Sequence, residues 1–456
     1  MKYKISTLGC KVNQFETQAL ETWLSERGFT PAPAPAAAES GRADLVIVNT
    51  CTVTSESGRK SRQLIRKLKR ENPGALVAVC GCFSQLSPEE VRALGADVVH
   101  GSGEKARFLE DIEAAFARRD GFIETALCES ELYLQSVFTD DPFERERFEE
   151  LPSGAGTGRT RAFCKIQDGC DNFCSYCIIP YARGKVRSLP LERCLAQAKE
   201  LSAKGYREIV ITGIEIASFG KDLTPPVSLI NAIEVIAGSV FDMRIRLGSL
   251  EPTIVTEEFC ARLASAGKGK ICSHFHLSLQ SGSDSVLSRM NRKYDTARFL
   301  TATETLRKYF PESALTADLI VGFPGETVKE HEDTLAFIKK CAFSAMHIFP
   351  YSARPRTQAA KMEGQLTNLE KARRAASARD YADQMENEYL RRCVGKTLSV
   401  LFESDSGGFA EGRAENYTKV GVENLSLRSL NLKLRGLVKN VEILDVKGKM
   451  LVGKLV

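Results

Sequence analysis

The sequence predicts an α/β protein in three consecutive parts: a small parallel α/β domain, a partial (β/α)6 barrel and a small antiparallel β-barrel. Three patterns carry that prediction. Short apolar runs alternate with helix-length segments over residues 1–145. Six further βα units follow between residues 161 and 349. After Cys393-Val394-Gly395 the chain breaks into short strand-like runs punctuated by Gly and Asp. The expected parts are 1–145, 150–390 and 391–456, with an acidic and then Gly-rich connector over about 120–158 between the first two.

Composition bounds the reading. With 456 residues, 43% hydrophobic and 27% charged, the chain has the makeup of two to four globular domains. A net charge of +5 allows a polyanionic partner without demanding one. The N-terminus has no basic segment followed by an apolar one, and no apolar run reaches the ~20 residues that cross a bilayer. The protein is therefore expected in the cytoplasm, away from membranes, where 14 cysteines are metal ligands or buried packing rather than disulfides.

In the first part, 2–8, 45–49, 76–80 and 97–100 read as strands and 13–27, 61–70 and 88–94 as helices. Ligands of such sheets collect beyond the carboxyl ends of the strands. Cys10, Cys51 and Cys82 follow the first three strands, so distant cysteines are expected to cluster in space. Cys80 lies within a strand and reads as packing. Ser57-Gly58-Arg59-Lys60-Ser61 lacks the glycine spacing of a phosphate loop, and His100-Gly101-Ser102-Gly103 reads as a turn into a helix. Along 58–70 Arg59, Lys60, Arg62, Arg66, Lys67, Lys69 and Arg70 occur without an acid. That run is either a solvated face or a contact for RNA phosphates.

In the second part, strands are expected at 161–166, 207–212, 243–247, 274–279, 315–321 and 345–349. The first delivers Cys170-Asp171-Asn172-Phe173-Cys174-Ser175-Tyr176-Cys177. Three thiols in the pattern C-x-x-x-C-x-x-C would leave one iron of a cubane with an open position, whereas a closed zinc or iron-sulfur site wants four ligands. A zinc knuckle with a remote fourth ligand is the alternative; the spacing is not that of paired C-x-x-C sites, and an aromatic precedes the last cysteine.

This stretch resembles the signature of the radical S-adenosylmethionine enzymes, in which the open iron chelates the cofactor. Thr7-Leu8-Gly9-Cys10-Lys11-Val12-Asn13-Gln14, Asn49-Thr50-Cys51-Thr52-Val53 and Gly81-Cys82-Phe83-Ser84-Gln85 resemble the three cysteine motifs of the methylthiotransferase N-terminal domain, a Rossmann-like or flavodoxin-like unit. The resemblance implies two 4Fe-4S clusters, one on Cys170, Cys174 and Cys177 and one on Cys10, Cys51 and Cys82. It extends to Ile178-Ile179-Pro180-Tyr181-Ala182-Arg183-Gly184, Thr212-Gly213-Ile214-Glu215, Gly248-Ser249-Leu250-Glu251-Pro252, Ser278-Leu279-Gln280-Ser281-Gly282, Arg289-Met290-Asn291-Arg292 and the run 318–326. On it, Gly213 admits the methionyl moiety. Ser249, Gln280 and Arg289 supply polar contacts to the cofactor, and Tyr176 and Glu215 complete the cofactor-binding set.

The other cysteines, Cys128, Cys164, Cys194, Cys260, Cys272, Cys341 and Cys393, have no partner at ligand spacing, and of His274 and His276, alternating on one strand, at least one belongs to the core. Neither a G-x-S-x-G elbow nor H-E-x-x-H is present. In the last part, strands are expected at 397–403, 409–416, 419–422, 437–444 and 450–456. Glu411-Gly412-Arg413-Ala414-Glu415-Asn416-Tyr417 resembles the central motif of the TRAM domain, an RNA-binding barrel. Lys419, Arg428, Lys433, Arg435, Lys439, Lys447, Lys449 and Lys454 would supply the basic side chains.

In order and over the full length the chain thus resembles a radical S-adenosylmethionine methylthiotransferase, of the branch acting on N6-threonylcarbamoyladenosine in tRNA. That implies replacement of an unactivated C–H bond by C–S–CH3 at C2 of the base beside the anticodon (position 37), with two S-adenosyl-L-methionine per product, an external electron donor and a sulfur donor. Isopentenyl-adenosine tRNA and a ribosomal-protein aspartate are rival substrates. A non-catalytic RNA-binding iron-sulfur protein is the rival of another class.

Overall fold

The computed structural model describes residues 1–33, 42–119, 136–153, 160–267, 269–406, 409–423 and 433–456. The first six strands form one sheet in the order Thr30–Pro31, Lys2–Thr7, Leu45–Thr50, Leu76–Gly81, Val98–His100, Ser136–Phe138, with every pair parallel. Leu45 and Ile47 pack towards the helices Lys11–Glu26 and Lys105–Arg119, while Val46 and Val48 pack towards Ser55–Glu71. Both faces are covered, which is why these strands read as unbroken apolar runs.

Two expectations are corrected here. The basic helix starts at Ser55, not at residue 61, because Thr54 caps it by accepting from the Ser57 N–H at 3.1 Å. Its charges are also partly neutralised: Glu56 pairs with Arg59 and Lys60, Glu71 with Lys67, and Glu90 with Arg62. The stretch read as connector contributes Ser136–Phe138 to the sheet edge, where Arg107 lies 3.6 Å above the Phe138 ring. Three residues of backbone pairing leave no periodicity to read. Cys128 and the Gly-rich run 154–158 lie outside the described residues.

The central part is two parallel sheets, Arg161–Lys165, Glu208–Thr212, Arg244–Leu247 and then Ser249–Leu250, His274–Gln280, Ala314–Val321, Ala345–Pro350. Gly248 separates the third strand from the fourth, and a bridge from Ile245 to Ile271 joins the sheets into an open barrel. Ala375, Ala378 and Met385 of the long helix Asn368–Cys393 cover its last strand.

The terminal part closes into a five-stranded barrel, Thr397–Ser406, Phe409–Ala414, Lys419–Glu423, Met450–Leu455, Val438–Lys447. It is not wholly antiparallel. The third and fifth strands of an up-and-down chain run the same way, so pairing Val420 with Leu451 to close the barrel is parallel. A buried carboxylate anchors it to the central part. Glu208 accepts from Arg244 at 2.6 Å and Arg246 at 2.8 Å, and the same two guanidinium groups donate to the carbonyls of Ser399, Arg413, Ala414 and Glu415.

Among the described residues no helix is long and apolar enough to cross a membrane.

Candidate functional site: two neighbouring cysteine triads

The loop carrying Cys170, Cys174 and Cys177 lies between a short antiparallel pair, Gln167–Asp168 with Arg187–Ser188, and the helix Ile179–Arg183. Gly169 stands at φ +72°, where a Cβ would sit 1.7 Å from the Lys185 carbonyl, so only glycine lets the loop leave the strand there. The loop is pinned across the barrel mouth: Ser175 N–H donates to the Met290 carbonyl at 3.0 Å and Ser175 Oγ to that of Arg289 at 2.8 Å. All three thiols are free and half-buried. Burial pushes Cys177 up to about 12 and raises Cys170 strongly; Arg292 opposes the shift at Cys177. Arg292 donates to Cys174 Sγ at 3.1 Å and to Glu251 at 2.7 Å.

The second set is assembled by the sheet. Cys10, Cys51 and Cys82 follow three adjacent strands and lie within electrostatic reach of one another. Gly9, at φ +118°, allows the first loop to approach the second: a Cβ there would lie 3.0 Å from Cys51 Cβ. Cys51 and Cys82 are buried. Cys10 is exposed, although burial by the surrounding protein is the largest influence raising its thiol. Burial, with Cys82 second, pushes Cys51 up to about 11.

The two sets lie close together, because the helix Ile179–Arg183, which follows Cys177, packs on the helix Cys82–Leu86. Arg183, fully buried, stands between the parts. Its Nε donates to Cys82 Sγ at 3.4 Å, its Nη2 to Asn13 at 3.2 Å and its Nη1 to Asp168 at 3.2 Å and to Glu16. Lys165, also buried, completes the network by donating to Asp168 at 2.6 Å. Two buried carboxylates against two buried cations leave no charge unpaired, which is the condition for placing them in the interior.

Of the residues expected to hold the cofactor, Tyr176 and Glu215 lie beside the first triad. Tyr176 packs with Val286, Met290 and Phe323 and is within reach of Cys174, Cys177 and Arg292. Glu215 lies near Cys170 and receives Asn172 Nδ2 at 3.4 Å; burial and then Glu251 push its carboxyl up to about 7. Gly213 abuts Gln167, whose Oε1 would be 2.7 Å from a Cβ, so packing within the chain already requires glycine. Ser249 Oγ lies 3.5 Å from Ser278 Oγ at the ends of neighbouring strands, and Gln280 closes its strand at φ +66°. Arg289 is engaged elsewhere: both Nη atoms donate to Glu330 at 2.9 Å. The guanidinium that touches a cluster-loop thiol is Arg292, three residues on. Arg183 and Arg292 lie inside strings that the sequence singles out, but nothing in either string marks which arginine turns inward.

Among the described residues no three of His, Cys, Asp and Glu converge on a single-ion site, the arrangement that a closed zinc centre needs. The ligands of a cubane bind different irons and stand wider apart. The donor chemistry fits such groups: Cys10, Cys51, Cys170 and Cys177, whose pKa values burial raises, stay neutral on their own and become thiolates when a metal takes the proton's place, while Arg292 and Arg183 donate to Cys174 and Cys82.

Known proteins resemble the chain along most of its length. Residues 164–338 match the family described as the radical SAM superfamily, and residues 2–101 match the uncharacterized protein family UPF0004. The chain is 37% identical over 419 residues to a threonylcarbamoyladenosine tRNA methylthiotransferase of Thermotoga maritima, covering 91% of this chain and 90% of that protein. It is 32% identical to a tRNA-2-methylthio-N(6)-dimethylallyladenosine synthase of Alkaliphilus oremlandii, covering 89% and 83%. Among solved structures, the radical S-adenosylmethionine methyltransferase TsrM of Kitasatospora setae shares the fold, with a TM-score of 0.54 and 16% identity over 90% of this chain and 80% of that one.

Proposed function

Because the chain belongs to the tRNA methylthiotransferases of the radical S-adenosylmethionine superfamily, we propose that it converts N6-threonylcarbamoyladenosine at position 37 of tRNA into its 2-methylthio derivative. The observation that carries this reading is the proximity of two cysteine triads, with Arg183 from the part that holds one donating to Cys82 of the other. A C2–H bond is not acidic enough for any protein base, so the reaction needs a radical and, separately, a source of sulfur. One triad suffices for neither pair of tasks. Cys170, Cys174 and Cys177 would hold one 4Fe-4S cluster and Cys10, Cys51 and Cys82 the other. When bound, the first supplies the electron that breaks the C5′–S bond of S-adenosyl-L-methionine, and the second presents sulfur.

The chain's own residues position and shield. Arg292 and Arg183 hold a cation against Cys174 and Cys82. Glu215, Ser249, Gln280 and Tyr176 line the approach of the cofactor to the open iron. The closely packed mouth around Met290 and Phe323 excludes water from a reactive radical. Two cofactor molecules are consumed per product, one for the radical and one for the methyl group, with electrons and sulfur drawn from donors outside the chain, in the cytoplasm. Nucleoside analysis of tRNA from a strain lacking the gene tests the substrate. N6-threonylcarbamoyladenosine should accumulate and its 2-methylthio form disappear; loss of the methylthio group from isopentenyl-adenosine instead would overturn the reading.

A further inference from the structure

Lys11 follows the cluster cysteine Cys10, and its ammonium group lies within electrostatic reach of the Tyr417 phenol in the terminal barrel and of Arg246 and Arg161 in the central one. The three parts of the molecule therefore meet at this side chain. Among the described residues Lys11 has no hydrogen bond or ion pair. Its surroundings are cationic. Arg246, Arg413 and Arg161 stand 4.7, 5.0 and 5.4 Å from the centre of the Tyr417 ring, and His274 stacks on the same ring at 4.8 Å. Tyr417 holds a left-handed conformation, φ +69°, fixed by Arg413 donating to its carbonyl at 3.1 Å.

Among the described residues none of the nearby carboxylates forms an ion pair with Lys11 or Arg413; Glu415 keeps an Oε2 without a partner and lies towards Arg244 and Arg246. Glu208 is bound by Arg244 and Arg246, and Glu403 by Arg161 at 2.8 Å. Neither reaches Lys11 or Arg413. His274, 5% exposed, adds an unpartnered Nδ1 within reach of both. A closely surrounded site with surplus positive charge, free donors and an aromatic face lacks an anion, and it lies beside the triad at which the base would react.

We propose that Lys11, together with Arg413 at the Tyr417 ring, binds the carboxylate of the threonylcarbamoyl group on the substrate adenine. The inference rests on the substrate reading above and assigns its recognition to one residue. Lys11 then acts by selecting the substrate, because an adduct without a carboxylate leaves a desolvated ammonium unpaired. A backbone phosphate is the other anion available in tRNA, and the test separates the two.

Full-length, cluster-loaded enzyme is titrated by fluorescence polarisation with anticodon stem-loops carrying N6-threonylcarbamoyladenosine, the same adduct with its carboxylate capped as an amide, and unmodified adenosine. Wild type should bind the acid about 10- to 100-fold more tightly than the amide. Lys11→Gln should lose that preference while binding the amide as wild type does, and Lys11→Arg should retain it. Equal weakening of all three RNAs by Lys11→Gln would reveal a phosphate contact and overturn the proposal. A preference that survives in Lys11→Gln overturns the role of Lys11 and leaves the substrate reading standing. Wild-type enzyme that ignores the adduct but binds a fourth stem-loop, one carrying isopentenyl-adenosine, overturns the substrate reading itself. The wild-type acid-against-amide comparison requires no variant, so equal affinities there end the proposal even if Lys11→Gln does not fold.

Discussion

Arg183 Nε lies 3.4 Å from Cys82 Sγ, so one side chain from the radical-enzyme half reaches a thiol of the other half. The same guanidinium binds Glu16 of the N-terminal helix and Asp168 of the central part. Arg183→Met would leave both carboxylates buried with Lys165 as their remaining ion-pair partner, and Lys105 and Arg187 acting only from further away. Breaking such a buried network costs about 3–5 kcal/mol. The expected result is a melting temperature lowered by several degrees or more, with iron lost from the Cys10, Cys51, Cys82 set before the other. Arg183→Lys restores the charge but not the fork, and should recover stability only in part. Unchanged melting and iron content in Arg183→Met would show that the network contributes nothing.

Metal content separates the triads. Reconstitution without oxygen should load about eight irons per chain, and about four after Cys170, Cys174 and Cys177 are all changed to Ala. Zinc at one equivalent with no iron would restore the closed-site alternative. The Cys80→Ala variant should load normally, since Cys80 lies within the N-terminal core among Leu45, Ile47 and Ala78.

The fold was legible because period and punctuation agree along most of the chain. Leu45 to Thr50 and Leu76 to Gly81 are covered on both faces and show it as unbroken apolar runs. The gathering of Cys10, Cys51 and Cys82 was legible for a different reason: they follow neighbouring strands, whose ends a parallel sheet brings together without further information. The short strand Ser136–Phe138 was not, since three paired residues carry no period. The buried arginines were not legible either. Arg183, Arg244 and Arg246 turn inward because Glu16, Asp168 and Glu208 meet them there, and pairings across tens of residues leave no local trace. Nor could the sequence show which basic residues of the terminal barrel are neutralised by acids from other elements.

Glu208 gives the protein an acid-sensitive joint. Burial alone would raise its pKa, but Arg246, Arg244 and Arg161 outweigh it and hold the carboxyl down at about 2, below an ordinary 4.5. The sign follows: a depressed carboxyl stabilises above its unfolded value, and that stabilisation drains away as pH falls from about 4.5 towards 2. A shift of that size corresponds to roughly 3 kcal/mol. Because Arg244 and Arg246 also hold the terminal barrel, its docking should loosen in the same window. The Glu208→Gln variant should be less stable near neutrality and show a flatter acid limb. Superimposable acid profiles would show that Glu208 does not control the joint.

Separating sulfur delivery from radical generation tests the division of labour. Changing Cys10, Cys51 and Cys82 together to Ala should leave reductant-driven cleavage of S-adenosyl-L-methionine at the other triad, with no methylthio product. Loss of cleavage with four irons retained would show that the sets do not act separately.

The terminal barrel's hold on tRNA should reside in a few lysines rather than in its whole basic complement. Lys419 is paired with Glu411 at 2.8 Å, Lys454 with Glu442 at 3.0 Å, and Lys449 with Asp383 and Glu386 at 2.7 and 2.6 Å. Lys433, Lys439 and Lys447 are exposed and, among the described residues, have no ion pair. Arg428 lies outside those residues. Removing the barrel is a poor test, because it would uncover Arg244 and Arg246 and strip them of four backbone acceptors. Substitution of the three exposed lysines by Gln leaves that joint untouched. Each phosphate contact adds about 0.7–0.9 to the slope of log K against log salt. The triple variant should therefore bind tRNA with a slope shallower by about 2–3, while Lys449→Gln and Lys454→Gln change it little, because those cations are already neutralised within the chain. Slopes identical to wild type in the triple variant would remove the barrel's exposed face from the tRNA interface and leave Arg66 and Arg70 of the basic helix, both exposed and without an ion pair among the described residues, as the next surface to test.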